Sequence, residues 1–479
     1  MSVQYSRGCV GALCTTSVGV MRSSIALAIL ACALLGGSAT ACTTTAEPAP
    51  TIDWSPCAQH PDVECASVRV PIDWARPDGD SIEMAVARRT ATDPAHRIGS
   101  LISMPGGPGS SGVDDLLAAP KFSPELNSRF DVVSFDPRGV GRSHPVTCDA
   151  GLAATMPNVV PDKGARLDDV QSYAKKLAAS CRARTGPLMD HLDAVSVARD
   201  IEALRRALGD DRISLYGRSY GTMPGQSYAE LFPDHLRALV LDSVDDHSLD
   251  GDAFLASEAR AGQDTFDQFA AWCDRDTACV LHGQDVHAVY GARAASTDLL
   301  QLSSATTQLL YKPDWPALAT MFETGPVPAQ PPPPVHDGGV AMPTTIVCSD
   351  WHFDISSQQQ WEQLWQQQNR NAPTLRAHFA WAAGSLCSGW PTAPPNPPHV
   401  PNRPATPPVL IMNGLHDPAT PYEWALGVER NTPGATLLTY DGPGHGSYPR
   451  NACTTTAADR YLIDLTVPAR GSHCAAVPG

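Results

Sequence analysis

Three residues of this chain could together break an acyl bond: Ser219, Asp417 and His445. A serine hydroxyl is a weak nucleophile at neutral pH. It becomes effective when a histidine takes its proton and a carboxylate orients that histidine. Ser219 stands in Gly217-Arg218-Ser219-Tyr220-Gly221, between the strand-like run "ISLYG" (213–217) and a helix-compatible segment. Glycines two residues to either side of a serine let strand and helix approach closely, around a turn that strains the serine and points its oxygen into a cleft. Asp417 and His445 follow in the chain order this pattern requires. Asp417 lies just past the apolar run "PPVLIMNG" (407–414), and His445 lies past the next run, "ATLLTY" (435–440), between Gly444 and Gly446. Asp242 and Asp245, at and after "ALVLDS" (238–243), compete for the place of the acid. Asp417 is preferred because its run is the last one before the histidine's and its loop leads into a helix start, "TPYEWA". An acyl-transfer site also needs two backbone N–H groups aimed at the developing oxyanion. One is expected from Tyr220. The other is expected from the glycine loop "SMPGGPGSSG" (103–112), at Gly107 with Gly106 beside it.

These residues need a scaffold that brings several loops to one edge. Six apolar runs recur along the chain, at 98–104, 130–136, 213–217, 238–243, 407–414 and 435–440. Their apolar character is continuous rather than alternating, which marks strands buried on both faces, hence a parallel sheet covered by helices. "VSVARDIEALRRALG" (195–209) places Val195, Ala198, Ile201, Leu204 and Leu208 on one helical face, with Gly209 as C-cap, and reads as a crossover helix. From Asp245 to Thr406 the strand rhythm stops. Helix-compatible stretches ("ASEARAGQDTFDQFAAWC", "SSQQQWEQLWQQQN") and proline tracts replace it, so residues 245–406 read as an inserted helical cap between core segments 42–244 and 407–479.

Residues 1–41 read as a targeting segment. Arg22 precedes the apolar run "IALAILACALL" (25–35) and small residues ending in "ATAC", and Met21 is a plausible start. Cleavage after Ala41 would leave Cys42 first, either lipidated or in a plainly secreted chain. Of the 14 cysteines, ten lie beyond Cys42, an even number that suits up to five disulfides in an exported protein. Nearest neighbours in order close short loops and are the expected pairs. Paired CxxC spacing for a metal is absent, and the formal charge of −16 argues against nucleic acid or an anionic membrane surface as a partner.

Taken together, "GGPGSSG", "FDPRGVGRS", "YGRSYGT", "LDSV", "NGLHDPATPYEWA" and "GPGHGS" resemble the exported actinobacterial α/β-hydrolase group of tripeptidyl and prolyl aminopeptidases, with its mycobacterial carboxylesterase and protease relatives. The likeness runs from about residue 52 to 474. It implies an α/β-hydrolase fold, a mostly parallel central sheet flanked by helices with an inserted helical cap. It also implies Ser219 as nucleophile, Asp417 as acid, His445 as base, the Gly106/Gly107 loop as oxyanion hole, and no cofactor. Pro105 stands where prolyl aminopeptidases often carry a histidine. The expected activity is release of short N-terminal peptides. A carboxylesterase on ester substrates and a catalytically idle envelope binding protein are the alternatives, because fold alone never fixes activity. An aminopeptidase must bind a free α-ammonium group through carboxylates, for which Asp245, Asp246 and Asp350 are candidates.

Overall fold

The computed structural model describes residues 52–327, 335–336, 339–376, 379–402 and 407–477. The expectations on the targeting segment, on Met21 and Cys42, and on part of each proline tract lie outside these residues. The apolar runs are strands of one ten-stranded sheet. In chain order the strands are β1 (Ser55–Cys57), β2 (His60–Pro71), β3 (Ser81–Arg89), β4 (Gly99–Met104), β5 (Phe130–Phe135), β6 (Thr147–Asp149), β7 (Ile213–Ser219), β8 (Leu236–Val244), β9 (Val335–His336), β10 (Gly339–Ala341), β11 (Val409–His416), β12 (Thr436–Pro443) and β13 (Ser472–Cys474). The large sheet runs β1-β2-β3-β5-β4-β7-β8-β11-β12-β13. From β5 to β13 every pairing is parallel, whereas β1, β2 and β3 are joined antiparallel. All residues of β4 and β5 are buried, as a sheet covered on both faces demands. This is the α/β-hydrolase fold.

The crossover helix Ala194–Leu208 enters through the N-cap Asp193, whose carboxylate accepts from the Ser196 amide, and ends at Gly209 in the left-handed region (φ 76°). Its buried stripe is Ala194, Val197, Ala198, Ile201 and Leu204, while Val195 and Leu208 are only half-buried. The helix also carries Asp200, which meets the fully buried guanidinium of Arg138 through two bonds, at 2.7 and 2.5 Å. The carbonyls of Pro71, Ile72 and His191 take the remaining Arg138 donors, and Trp74 Nε1 donates to Asp200. Removing one member of such a pair leaves a buried charge, at a cost of about 3–5 kcal/mol. In the same "FDPRGVGRS" stretch, Asp136 accepts from Ser111 Oγ (2.5 Å) and the Val113 amide (3.1 Å), which anchors the end of the glycine loop.

Between β8 and β11 the two helix-compatible stretches fall in the helices Gly251–Arg275 and Gln358–Asn371, and further helices include Leu299–Tyr311 and Phe379–Cys387. The inserted segment departs from a purely helical cap at β9 and β10, which form a three-stranded antiparallel sheet in which β10 lies between β6 and β9. The described residues gather into one compact unit, so the segment does not separate from the sheet. Five disulfides pair nearest neighbours: Cys57–Cys65, Cys148–Cys181, Cys273–Cys279, Cys348–Cys387 and Cys453–Cys474. No helix among the described residues is long and apolar enough to cross a membrane.

Candidate active site

The loops that leave β7, β8, β11 and β12 meet at the carboxyl edge of the sheet. Ser219 ends β7 with φ at +58°, a left-handed conformation that costs a non-glycine residue and is kept only where its surroundings enforce it. The enforcement comes from close packing. A Cβ on Gly217 would fall on the Gly221 carbonyl, and one on Gly221 would lie 2.5 Å from the Met104 carbonyl oxygen. The helix Thr222–Leu231 can therefore start directly against β4 and β7, and the serine is left at the turn between them. Gly106 packs against Ser219, where an added Cβ would lie 3.1 Å from the serine Cβ.

Past β11, Asp417 is buried and densely bonded. One carboxylate oxygen accepts from the amides of Ala419 (2.9 Å) and Thr420 (3.0 Å). The other accepts from Ser243 Oγ (2.7 Å) and Thr420 Oγ1 (3.0 Å). Both oxygens lie 3.0 Å from His445 Nδ1. Burial pushes this carboxyl up, but the charge of His445, its hydrogen bond and the two loop amides outweigh burial and hold it below the ordinary carboxylate value. His445 lies between two glycines with positive φ, Gly444 (105°) and Gly446 (86°). The Gly446 amide donates to Ser243 Oγ at 2.8 Å, so this one hydroxyl joins the acid's loop to the histidine's.

Asp242, the competing acid, is fully buried but faces another task. It accepts from Tyr216 Oη (2.7 Å) and from the amides of Ser447 (2.7 Å) and Tyr448 (2.9 Å), fastening the chain just after His445. Asp246 folds back on Ser248, accepting from its amide and hydroxyl. Asp350 is tied to Tyr220, Ala194 and Asn396. Asp245 has a different setting: it lines a cavity of about 380 Å³ together with Ser219, Tyr220, Gly107, Glu258 and Tyr311. Burial, above all, lifts the Asp245 carboxyl to about 7, with Asp417, Asp350 and Asp246 adding to it against the opposing charge of His445. The rest of the wall is mostly apolar and includes Met156, Leu177, Phe254, Trp351 and Leu386. Tyr173 and Leu177 come from the helix Leu167–Thr185, so the wall extends beyond the segment read as a cap.

Two residues of the insert were not anticipated. Glu258, in the helix Gly251–Arg275, is buried, and its carboxyl is held well above the ordinary value by burial and by the negative charges of Asp245 and Asp417. Tyr311 ends the helix Leu299–Tyr311. Its ring lies 4.9 Å from that of His445, and its carbonyl accepts from the His445 amide at 2.8 Å. A glutamate in a charged helical stretch looks like a solvated surface residue, and no local signal places a helix-terminal tyrosine against a residue 134 positions away.

Comparison with known proteins agrees with this architecture. The family model described as TAP-like protein matches residues 372–474. Tripeptidyl aminopeptidase of Streptomyces coelicolor is 30% identical over 477 residues, covering 88% of this chain and 86% of that protein. Carboxylesterase B of Mycobacterium tuberculosis is 30% identical, covering 89% and 90%. Serine protease Hip1 of the same species is 29% identical, covering 94% and 96%.

Proposed function

This chain belongs to the TAP-like family of α/β-hydrolases and is a serine hydrolase, and we propose that it is an exported aminopeptidase that releases short N-terminal peptides through an acyl-enzyme. Ser219 Oγ attacks the scissile carbonyl carbon while His445 takes the hydroxyl proton, then hands it to the leaving amine. Asp417 fixes the ring through Nδ1 and balances the charge that forms on it. The amides of Tyr220 and Gly107, with Gly106 alongside, receive the oxyanion. Water then attacks the ester and frees the acyl part and Ser219.

The observation that carries this reading is the bond of Asp417 to His445 through both carboxylate oxygens, beside a cavity that receives Ser219 from a strained turn. The peptide preference is supported by Asp245 and Glu258. These are two buried acids on the cavity wall whose ionised forms are unfavourable until a cation arrives, which suits a substrate ammonium. Export is supported by the leader-like residues before Cys42 and by the five disulfides, with a lipid on Cys42 or free secretion as its two forms. A carboxylesterase is the second reading, favoured by the predominantly apolar wall of the cavity.

The test compares hydrolysis of a tripeptidyl anilide with a free N-terminus, its N-acetylated twin and a short-chain ester, with Ser219→Ala as blank. Fast cleavage of the free peptide alone supports the aminopeptidase. Turnover of the ester alone, lost in Ser219→Ala, moves the function to carboxylesterase. A wild-type protein indistinguishable from Ser219→Ala on all three substrates is a binding protein on a hydrolase scaffold.

A further inference from the structure

Tyr220 contributes its amide to the proposed oxyanion hole, and its side chain reaches away from the elbow into the inserted segment. The backbone of the turn closes on itself: the Gly221 amide donates to the Arg218 carbonyl (3.0 Å), and Thr222 Oγ1 donates to the Ser219 carbonyl (2.7 Å). The Tyr220 phenol instead leaves the core and donates to Asp350 Oδ2 at 2.5 Å. Asp350 follows the seven-residue 3₁₀ helix Pro343–Ser349, two residues beyond Cys348, whose disulfide to Cys387 fixes the end of a cavity-lining helix. Its other carboxylate oxygen accepts from the Ala194 amide (3.0 Å), at the first residue of the crossover helix, and from Asn396 Nδ2 (2.7 Å) in the second proline-rich tract. Its carbonyl accepts from His247 Nε2 at 2.8 Å. Asp350 is fully buried. One carboxylate therefore joins the elbow, the crossover helix and the proline-rich tract.

We propose that Asp350 is a positioning residue for the reaction: by holding the Tyr220 phenol, it fixes the peptide plane that presents the Tyr220 amide to the oxyanion. The inference rests on the acyl-transfer reading of this same site. The physical reason is leverage. An oxyanion donor is effective only when held to within about 0.5 Å and 10–20° of its working geometry by side chains that are themselves locked. The peptide plane of the Tyr220 amide is held at its carbonyl by the Thr222 hydroxyl, and the Tyr220 carbonyl accepts from the Met223 amide at 2.9 Å. A phenol anchored at the far end of a rigid ring adds a hold from the side-chain direction, which neither backbone contact supplies. The anchor can bear this because Asp350 is itself held by two donors from separate parts of the chain and does not swing with the tyrosine. A further consequence is that the inserted segment works as part of the oxyanion hole as well as a cover over the cavity.

The experiment measures kcat and KM for Tyr220→Phe, Asp350→Asn and the double variant on the best substrate, per Ser219 titrated to completion with a fluorophosphonate. Tyr220→Phe keeps the amide and the ring and loses only the hydroxyl. Asp350→Asn keeps the acceptor for Ala194 and presents an amide donor to the phenol. Each is expected to lower kcat about tenfold with KM within about twofold, a fraction of the ~10²–10³-fold cost of losing a donor outright. The double variant is expected to fall no further than either single one, because both act on the same bond, one by deleting the hydroxyl and the other by replacing its carboxylate acceptor with an amide. Wild-type kcat in Tyr220→Phe, an effect confined to KM, or losses that multiply in the double variant would each overturn the inference while leaving the acyl-transfer reading intact. Turnover that survives in Ser219→Ala would instead overturn that reading, and this inference with it.

Discussion

Asp417 and Glu258 are both buried carboxyls near the same cavity, one after a sheet strand and the other on a helix of the insert, and they are held in opposite states. Asp417 is surrounded by donors, two amides, two hydroxyls and the His445 ring; burial raises its carboxyl, but the charge and hydrogen bond of His445 and the amides of Thr420 and Ala419 hold it below the ordinary carboxylate value. Glu258 meets burial and the negative charges of Asp245 and Asp417, and is held well above it. Depth of burial therefore does not decide the state of a carboxyl here; the neighbours do. On the proposed function, the sheet side keeps a charge that the chemistry uses in every cycle. The insert side, on the proposed function, is built to take up charge when a cationic substrate arrives.

The sharpest way to break this contrast is to neutralise the sheet acid. Asp417→Asn is expected to lower kcat by about 10⁴-fold, since an amide there favours the wrong histidine tautomer. Asp242→Asn, its neighbour in the sheet, is expected to keep kcat within about threefold while losing about 1–3 kcal/mol of stability, because a buried amide of Ser447 or Tyr448 loses its acceptor. Steady-state kinetics beside thermal melts of the two variants check both, and the reverse pattern would transfer the acid's role to Asp242.

The next effect lies on the insert. Glu258→Gln is expected to raise KM for a peptide with a free N-terminus by about 10- to 100-fold, the equivalent of the ~1.5–3 kcal/mol of a charge-assisted hydrogen bond. Hydrolysis of an ester without an ammonium group should not change. Equal losses on both substrates would make Glu258 part of the frame rather than of recognition.

The smallest effect is one of stability and sharpens the same comparison. Asp245 is lifted to about 7 when folded, against an ordinary value of 3.8. Between those values the folded state holds a proton that the unfolded chain has lost, so rising pH favours unfolding, and the loss is complete above about pH 7. Asp245→Asn should therefore flatten the fall in Tm of ligand-free protein between about pH 4 and 7. Asp350, lifted in the same way, leaves a residual slope. Asp417 has the opposite sign: its stabilisation is present above the ordinary carboxylate value and is lost only as acid protonates it. A Tm profile of Asp245→Asn superimposable on wild type would show that its burial has no energetic consequence.

How far the sequence could be read depended on how each element is stabilised. Strands β4, β5, β7, β8, β11 and β12 are buried on both faces, and continuous apolar runs marked them. Strands β2 and β3 carry no continuous apolar run, because a half-exposed antiparallel pair alternates, as in Ile82, Met84 and Val86 inward with Glu83 outward. Strands β9 and β10, of two and three residues, have no pattern of their own and exist through pairing, β10 with β6 and β9 with β10. At the site, Ser219, Asp417 and His445 were legible because each follows its own strand amid glycines or a helix start. Ser243, Glu258, Tyr311 and the partner of Tyr220 were not, because each is defined by residues far along the chain.

The sequence by itself determined the parts whose causes are local: the strained turn at Ser219 forced by Gly217 and Gly221, the order of the strand-end loops, and the crossover helix with its Gly209 stop. Only the tertiary structure decided which of two acids meets the histidine, which carboxyls face the cavity, and that Asp350 holds the residue beside the nucleophile. Those outcomes depend on which donors and charges lie within hydrogen-bond or Coulomb reach, and folding alone brings them there.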